Sequence, residues 1–188
     1  MAGPAKKSRL ITESDKRITA YHESGHAIVA KLMKHCDDVH EVSIIPRGMA
    51  AGYTITLPEN DDNHMTKGKL LDDIAMMLGG RAAEEIVIQD ISTGASNDIQ
   101  RATQLARKMV TEWGMSDSIG NMYLGSSEEV FLGRDYQSHL NYSEEVAAKI
   151  DEEVKTIIDT QYQVALNILK SNRPIMDAMV KALYEKET

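Results

Sequence analysis

Apolar residues recur at helical spacing through most of this 188-residue chain, with polar residues between them. The spacing predicts five helices, over residues 12–35, 66–89, 96–114, 143–170 and from 174 onwards. Thr12, Ser96 and Ser143 precede three of these stretches and are the predicted N-caps, and Pro174 suits a first helical turn. The chain is therefore expected to be mainly α-helical.

The apolar pattern becomes that of β-strands between the first two predicted helices. Residues 41–45 and 51–56 are short β-type runs on either side of Pro46 and Gly48, and they predict a β-hairpin. An exposed strand edge can bind an extended peptide through backbone hydrogen bonds. A small sheet that only covers the helices is an equally good interpretation.

Composition limits the classes of protein to consider. With 42% hydrophobic residues and no linker rich in Pro, Gly or Ser, residues 1–188 are expected to form one domain. The net charge is −8, and Lys and Arg are spread along the helices, which argues against nucleic acid as a partner. Cys36 is the only cysteine, and no apolar run has the length of a membrane span. The chain as given is expected to be soluble and free of disulfides.

The first predicted helix contains the motif His22-Glu23-Ser24-Gly25-His26. On a helix, His22 and His26 lie four residues apart on one face, so both imidazoles can bind one zinc ion. Three protein ligands leave one position for water, whose pKa zinc lowers to about 7. Glu23, which must not bind the metal, would take the proton from this water and return it to the leaving amine. The motif therefore predicts a metallopeptidase.

The third zinc ligand has two candidate sources. Glu84 and Glu85 follow the pair Gly79-Gly80, and a glutamate from a second helix is a ligand in other enzymes with this motif. Either could instead be a solvated carboxylate or could orient a ligand histidine. Asp98 is the rival, although an aspartate in a first helical turn also stabilises the helix without any metal. The paired glycines predict close approach of another helix.

Three motifs in this order resemble the peptidase domain of the FtsH family of membrane-bound AAA+ zinc proteases. They are Tyr21-His-Glu-Ser-Gly-His-Ala27, Gly79-Gly-Arg-Ala-Ala-Glu-Glu85 and Ser92-Thr-Gly-Ala-Ser-Asn-Asp-Ile99. The similarity continues through Ala102-Thr103, Ala106-Arg107, Met109-Val110 and Trp113-Gly114. It extends over nearly the whole chain, and the three motifs together are highly specific.

The resemblance implies roles for individual residues. It makes His22, His26 and Asp98 the ligands of one Zn²⁺ per chain, with Glu23 as the catalytic base. Glu84 or Glu85 becomes a supporting residue. The implied substrate-binding edge is the strand Val42, Ser43, Ile44 and Ile45. The family motif has Ala where this chain has Ser24, a change between small residues that should leave the metal geometry unaffected.

The same resemblance implies a longer protein. Family members carry N-terminal membrane helices and an ATP-hydrolysing module, with ATP and Mg²⁺, that feeds unfolded polypeptides into a homo-hexameric chamber. This chain has no GxxxxGK[ST] phosphate loop, so it is expected to be the peptidase domain alone, with residues 1–11 as the linker from an absent ATPase module. The full-length protein is expected in a bacterial or organellar inner membrane. This domain would lie on the cytoplasmic, matrix or stromal side.

Two hypotheses from other classes compete with an ATP-coupled endopeptidase that cuts unfolded or extracted proteins. The first is a zinc-binding assembly module that no longer hydrolyses peptide bonds, and the intact Glu23 argues against it. The second is a free-standing zinc peptidase of another family with Glu85 as ligand. The motif around Asp98 argues against that one.

Overall fold

The computed structural model describes residues 12–48, 50–58, 64–125 and 142–188. Within these ranges the chain forms five helices and two strands. Their bounds are α1 Glu13–Leu32, β1 Asp38–Ser43, β2 Tyr53–Leu57, α2 Lys67–Ile88, α3 Ser96–Thr111, α4 Glu144–Ser171 and α5 Arg173–Lys186. The predicted mainly α fold with a small hairpin is confirmed. The predicted linker over residues 1–11 lies outside the described residues.

The helix starts follow from side-chain capping at three of the helices. The hydroxyl groups of Thr12, Thr66 and Ser143 each accept the backbone N–H of the residue three positions on. Helix α3 differs, because its N-cap is Ala95 and no side chain caps it. The prediction of Ser96 as N-cap is wrong, since the Ser96 N–H already bonds to the carbonyl oxygen of the Thr93 backbone at 3.2 Å. The chain therefore turns into the helix one residue early.

The first strand of the hairpin starts and ends earlier in the chain than the apolar pattern predicts. β1 and β2 are antiparallel, with Val42 opposite Thr54, and β1 ends at Ser43 rather than at Ile45. Beyond Ser43 the ladder partners are replaced: the Ile44 N–H donates to the backbone carbonyl of Glu187 at 3.0 Å. The Ile45 N–H donates to the Ser43 hydroxyl oxygen at 3.2 Å.

Helices α1 and α2 cross with their backbones in direct contact. A Cβ atom built on Gly25 would lie 2.3 Å from the carbonyl oxygen of Gly79, and one on Gly79 would lie 2.7 Å from the carbonyl oxygen of Gly25. No real Cβ fits at such distances, so only glycine permits this crossing. The predicted close approach at the paired glycines is confirmed.

Two clusters of buried apolar side chains hold the helices together. One joins α1, α2, α5 and the second half of α4, and includes Val29, Leu166, Leu169, Met176 and Leu183. The other joins α2, α3 and the first half of α4, and includes Leu70, Ile74, Met109, Val110 and Ile150. None of the helices in the described part of the chain combines the length and apolarity needed to cross a membrane. The predicted site residues lie where α1, α2, α3 and the hairpin meet.

Candidate metal centre

Three side chains from two helices converge on one point. His22 and His26 come from α1, and Asp98 comes from the first turn of α3. The two Nε2 atoms are 3.0 Å apart, and Oδ2 of Asp98 lies 3.2 Å from that of His22 and 3.5 Å from that of His26. Ligands of a tetrahedral zinc ion with bonds of about 2.0–2.2 Å are separated by about 3.3 Å. The donor set therefore fits zinc in both chemistry and spacing.

Hydrogen bonds on the far side of each ring fix which nitrogen faces the centre. Nδ1 of His26 donates to the backbone carbonyl oxygen of Met76 at 2.8 Å, and Nδ1 of His22 donates to Oε1 of Glu84 at 2.8 Å. Because both acceptors can only accept, each ring carries its proton on Nδ1 and offers the Nε2 lone pair. Two lone pairs and the Asp98 carboxylate then face one another, an arrangement that requires a cation between them.

The pKa shifts of His22 and Asp98 also show that this centre favours positive charge. Burial lowers the pKa of His22, but hydrogen bonds to Asp98 and Glu84 and the charge of Glu23 outweigh it and raise the pKa to about 9. Burial raises the pKa of Asp98, yet hydrogen bonds from His22 and His26 hold that pKa well below its ordinary range. The raised pKa of His22 corresponds to a second proton, on Nε2 beside Asp98, and a bound divalent ion would replace that proton.

The two candidate supporting glutamates lie on different sides of α2. Glu84 is 1% exposed and joins two parts of the centre, since Oε1 accepts from His22 and Oε2 accepts the backbone N–H of Ser92 at 3.1 Å. Glu85 is exposed, and its carboxylate accepts from the hydroxyl of Tyr162 on α4 at 2.5 Å. Glu84 therefore contacts the candidate ligand His22, and Glu85 contacts none of the three candidate ligands.

Gly80 is a part of the centre that sequence reasoning did not assign. A Cβ atom on Gly80 would lie 2.5 Å from Cε1 of His22 and 2.6 Å from Nε2 of His26. The residue therefore has to be glycine for both imidazoles to occupy their positions. The pair Gly79-Gly80 is the sequence feature that could indicate this role, although contact with another helix already explains a glycine pair.

Glu23 lies beside the three candidate ligands without belonging to their cluster. Its side chain is buried at 6% exposure, and Oε2 accepts a hydrogen bond from the hydroxyl of Thr54 on β2 at 2.8 Å. The Thr54 hydroxyl also lies 3.2 Å from the backbone carbonyl oxygen of Glu23. No sequence motif indicated this contact, because it depends on how the hairpin packs against α1.

A cavity of about 650 Å³ opens over these residues. Its wall includes the candidate ligands and Glu23, residues from α2 and the start of α3, the β2 residues Tyr53, Thr54 and Thr56, and Gly52 immediately before β2. A second cavity of about 360 Å³ lies next to it and shares Thr93 and Gly94.

The predicted edge residues Val42, Ser43, Ile44 and Ile45 do not line the larger cavity. Val42, Ser43 and Ile44 are buried, and the backbone carbonyl of Glu187 accepts hydrogen bonds from Ser43 and Ile44. Ile44 lines the smaller cavity instead. The role of these residues as a substrate-binding edge stays a prediction, and of the two strands it is β2 whose residues line the larger cavity.

Comparison with known proteins identifies the family of this chain. The sequence model of Peptidase family M41 matches residues 9–188. ATP-dependent zinc metalloprotease FtsH 1 of Thermoanaerobacter sp. is 57% identical over 188 residues, which are 100% of this chain and 31% of that protein. ATP-dependent zinc metalloprotease FtsH of Caldicellulosiruptor bescii is 53% identical over 188 residues, which are 100% of this chain and 30% of that protein. ATP-dependent zinc metalloprotease FtsH 2 of Alkaliphilus metalliredigens is 51% identical over 189 residues, which cover 100% of this chain and 27% of that protein. The chain spans less than a third of the length of these curated relatives, and it belongs to peptidase family M41.

Proposed function

We propose that this chain is a zinc-dependent endopeptidase module in which His22, His26 and Asp98 bind one zinc ion and Glu23 is the general base. One observation carries the proposal: two imidazole lone pairs and a carboxylate oxygen converge within 3.0–3.5 Å of one another, beside a buried glutamate. Membership of the peptidase family and the names of the relatives support the same reaction.

The residues divide the work of peptide hydrolysis. Zinc, when bound, lowers the pKa of water to about 7 and polarises a carbonyl group. Glu23 accepts a proton from the attacking water and passes it to the leaving amine, which leaves as a neutral group. Glu84 and the Met76 carbonyl keep both imidazoles in the tautomer that offers Nε2. Glu84 also links His22 to the loop that leads into α3 and Asp98.

Strand β2 is the candidate binding edge for the substrate. In the described residues the sheet has only two strands, so β2 pairs with β1 on one side, and its side chains form part of the cavity wall. An extended peptide could add to the other side through backbone hydrogen bonds, which carry little sequence preference. Unfolded polypeptides are therefore the proposed substrate class.

The rest of the proposal concerns a protein longer than this chain. The relatives are named ATP-dependent, so we infer that an ATPase module delivers unfolded polypeptides to this module. By the family resemblance, the complete protein would be a homo-hexamer anchored in a bacterial or organellar inner membrane. The peptidase module would face the cytoplasm, matrix or stroma.

The first test is the amount of zinc bound per chain. We expect about one zinc in the wild type and in Glu85→Ala, and a loss of zinc in Asp98→Ala, because only Asp98 adds a third donor to the two imidazoles. Glu23→Gln should keep its zinc and lose hydrolysis of an unfolded substrate. Circular dichroism of each variant would establish that it is folded.

Two outcomes would contradict the proposal. If zinc is retained in Asp98→Ala but lost in Glu85→Ala, the third ligand is Glu85 rather than Asp98. That result would favour a zinc peptidase of another family. If zinc-loaded Glu23→Gln still hydrolyses the substrate at the wild-type rate, Glu23 is not the general base.

A further inference from the structure

We propose that Thr54 of β2 is a positioning residue for Glu23, whose carboxylate the Thr54 hydroxyl orients through a hydrogen bond of 2.8 Å to Oε2. The inference rests on the proposed function, in which Glu23 is the general base. It adds a strand residue to a centre whose other residues all come from helices α1, α2 and α3.

Glu23 depends on this one side chain for its orientation. It is 6% exposed, and in the described part of the chain no other group donates a hydrogen bond to its carboxylate and no lysine or arginine forms an ion pair with it. A buried carboxylate needs hydrogen-bond donors in place of the water it has lost. The Thr54 hydroxyl is the donor that the protein supplies.

Gly52 explains how the strand comes close enough to α1. Gly52 immediately precedes β2, two residues before Thr54, and both lie against Glu23. A Cβ atom on Gly52 would lie 2.9 Å from Cγ of Glu23 and 2.8 Å from Cγ2 of Thr19. Since Gly52 has no side chain, β2 packs directly on α1 and the Thr54 hydroxyl reaches the carboxylate.

Because of this hydrogen bond, the two carboxylate oxygens of Glu23 have different surroundings. Oε2 is held by Thr54, whereas Oε1 has no hydrogen-bond partner among the described residues and can accept the proton of the attacking water. A displacement of about 1 Å in a catalytic group can cost about a hundredfold in rate. Thr54 forms no hydrogen bond to His22, His26 or Asp98, so its removal should affect the rate of the reaction and leave the metal bound.

The same strand would then position both reactants. A peptide paired with the free edge of β2 takes its register from the backbone of that strand. The base takes its orientation from the Thr54 side chain of the same strand. The register of the peptide and the orientation of the base would therefore both depend on how β2 packs against α1.

Three variants of the complete, zinc-loaded protein test the proposal with a short fluorogenic peptide. Thr54→Val keeps the shape of the side chain but removes the donor, and we expect kcat to fall about 10- to 100-fold. KM should change by less than about threefold, and zinc content should be unchanged, because the hydroxyl forms no hydrogen bond to a candidate metal ligand. Thr54→Ser restores the donor and should recover most of kcat.

Thr56→Val is the matched comparison, since it removes a hydroxyl two residues along β2 from the same cavity wall. No hydrogen bond joins Thr56 to Glu23, so its kcat should exceed that of Thr54→Val at least about fivefold. Crystal structures give a readout that does not depend on turnover. With zinc bound, the Glu23 carboxylate should be displaced or occupy two conformers in Thr54→Val, and should keep its position in Thr56→Val and Thr54→Ser.

The outcomes separate this proposal from the one on which it rests. A wild type that does not cleave the peptide, or an active Glu23→Gln, overturns the proposed function and the positioning role with it. If the wild type is active and Glu23→Gln is not, a wild-type kcat in Thr54→Val overturns the positioning role alone. Equal losses of kcat in Thr54→Val and Thr56→Val, or failure of Thr54→Ser to recover activity, do the same.

Discussion

The cavity over the metal centre has two walls of different construction. The helical wall consists of the residues of α1, α2 and α3 that line the cavity, and the strand wall consists of Gly52, Tyr53, Thr54 and Thr56. Behind the helical wall, the backbones of α1 and α2 touch at Gly25 and Gly79, which do not line the cavity themselves. The strand wall belongs to a two-stranded sheet in the described residues, and a hydroxyl group of β2 ties it to Glu23.

The difference suggests a division of roles between the walls. All three candidate ligands and Glu84 belong to helices, and hydrogen bonds within that wall orient the two imidazoles. The strand wall contacts the base and the space for the substrate. We therefore expect metal binding to tolerate changes in the strand wall, and the reaction to depend on both walls.

The largest expected effect comes from adding one methyl group at the contact of α1 and α2 behind the helical wall. In Gly25→Ala the new Cβ would lie 2.3 Å from the Gly79 carbonyl oxygen and 2.7 Å from Cβ of Ala83, so α1 and α2 must separate. We expect the free energy of unfolding, measured with urea, to fall by about 3 kcal/mol or more, together with a loss of bound zinc. The gain in helix propensity, about 1 kcal/mol, is too small to compensate.

Gly52→Ala is the corresponding change in the strand wall. Its Cβ would meet the Ser43 carbonyl oxygen at 2.7 Å and Cγ of Glu23 at 2.9 Å. Movement of the hairpin away from α1 would relieve the contact with Glu23, and a local shift between its two strands would relieve the contact with Ser43. We therefore expect a loss of only about 1–2 kcal/mol, full zinc content and reduced hydrolysis. If Gly52→Ala loses its zinc as completely as Gly25→Ala, the two walls are not separable.

A smaller effect distinguishes two neighbouring glutamates of α2. Glu84→Ala leaves Nδ1 of His22 and the N–H of Ser92 without their acceptor, so zinc affinity, measured by competition with a chelating dye, should fall about 10- to 100-fold. Glu85→Ala loses only the bond to Tyr162 and should bind zinc as the wild type does. Glu84→Gln keeps an acceptor and should lie between them. Equal affinities in Glu84→Ala and Glu85→Ala would contradict the assignment.

The helical wall could be predicted from the sequence to a large extent. A spacing of four residues on a helix is enough to bring His22 and His26 together, and Thr12, Thr66 and Ser143 locate helix starts through local hydrogen bonds. The paired glycines gave the contact of α2 with another helix. The placement of Asp98 beside the histidines depended on a family resemblance, since 72 or more residues separate it from them and no spacing rule acts over that length.

The strand wall could not be predicted in the same way. Which strand of a hairpin faces a helix depends on packing between distant residues, and here the Glu187 carbonyl occupies the backbone N–H of Ile44 beyond β1. The sequence also leaves the choice between Glu84 and Glu85 open, because adjacent positions on a helix differ by about 100° in direction and only the packing of α1 on α2 shows which one faces His22. Met76 contributes a backbone carbonyl, which no side-chain motif reveals.

The smallest expected effect is a gain in stability at Ser24, which lies between Glu23 and Gly25 on α1 but does not line the cavity. Ser24 is fully buried, and among the described residues its hydroxyl has no hydrogen-bond partner. A buried polar group without a partner costs about 1–3 kcal/mol. Ser24→Ala should therefore raise the free energy of unfolding by about 1 kcal/mol, measured with urea, with zinc content and hydrolysis unchanged.

Ser14→Ala is the control for the helix propensity of alanine, because Ser14 is exposed on the same helix. We expect it to change the stability by less than about 0.5 kcal/mol. A gain at Ser24 well above that at Ser14 means that the buried hydroxyl opposes folding and that neither zinc nor Glu23 needs it. A loss of stability or of zinc in Ser24→Ala would instead show that the hydroxyl supports the helical wall. Zinc binding and stability would then depend on α1 residues that do not face the cavity as well as on those that do.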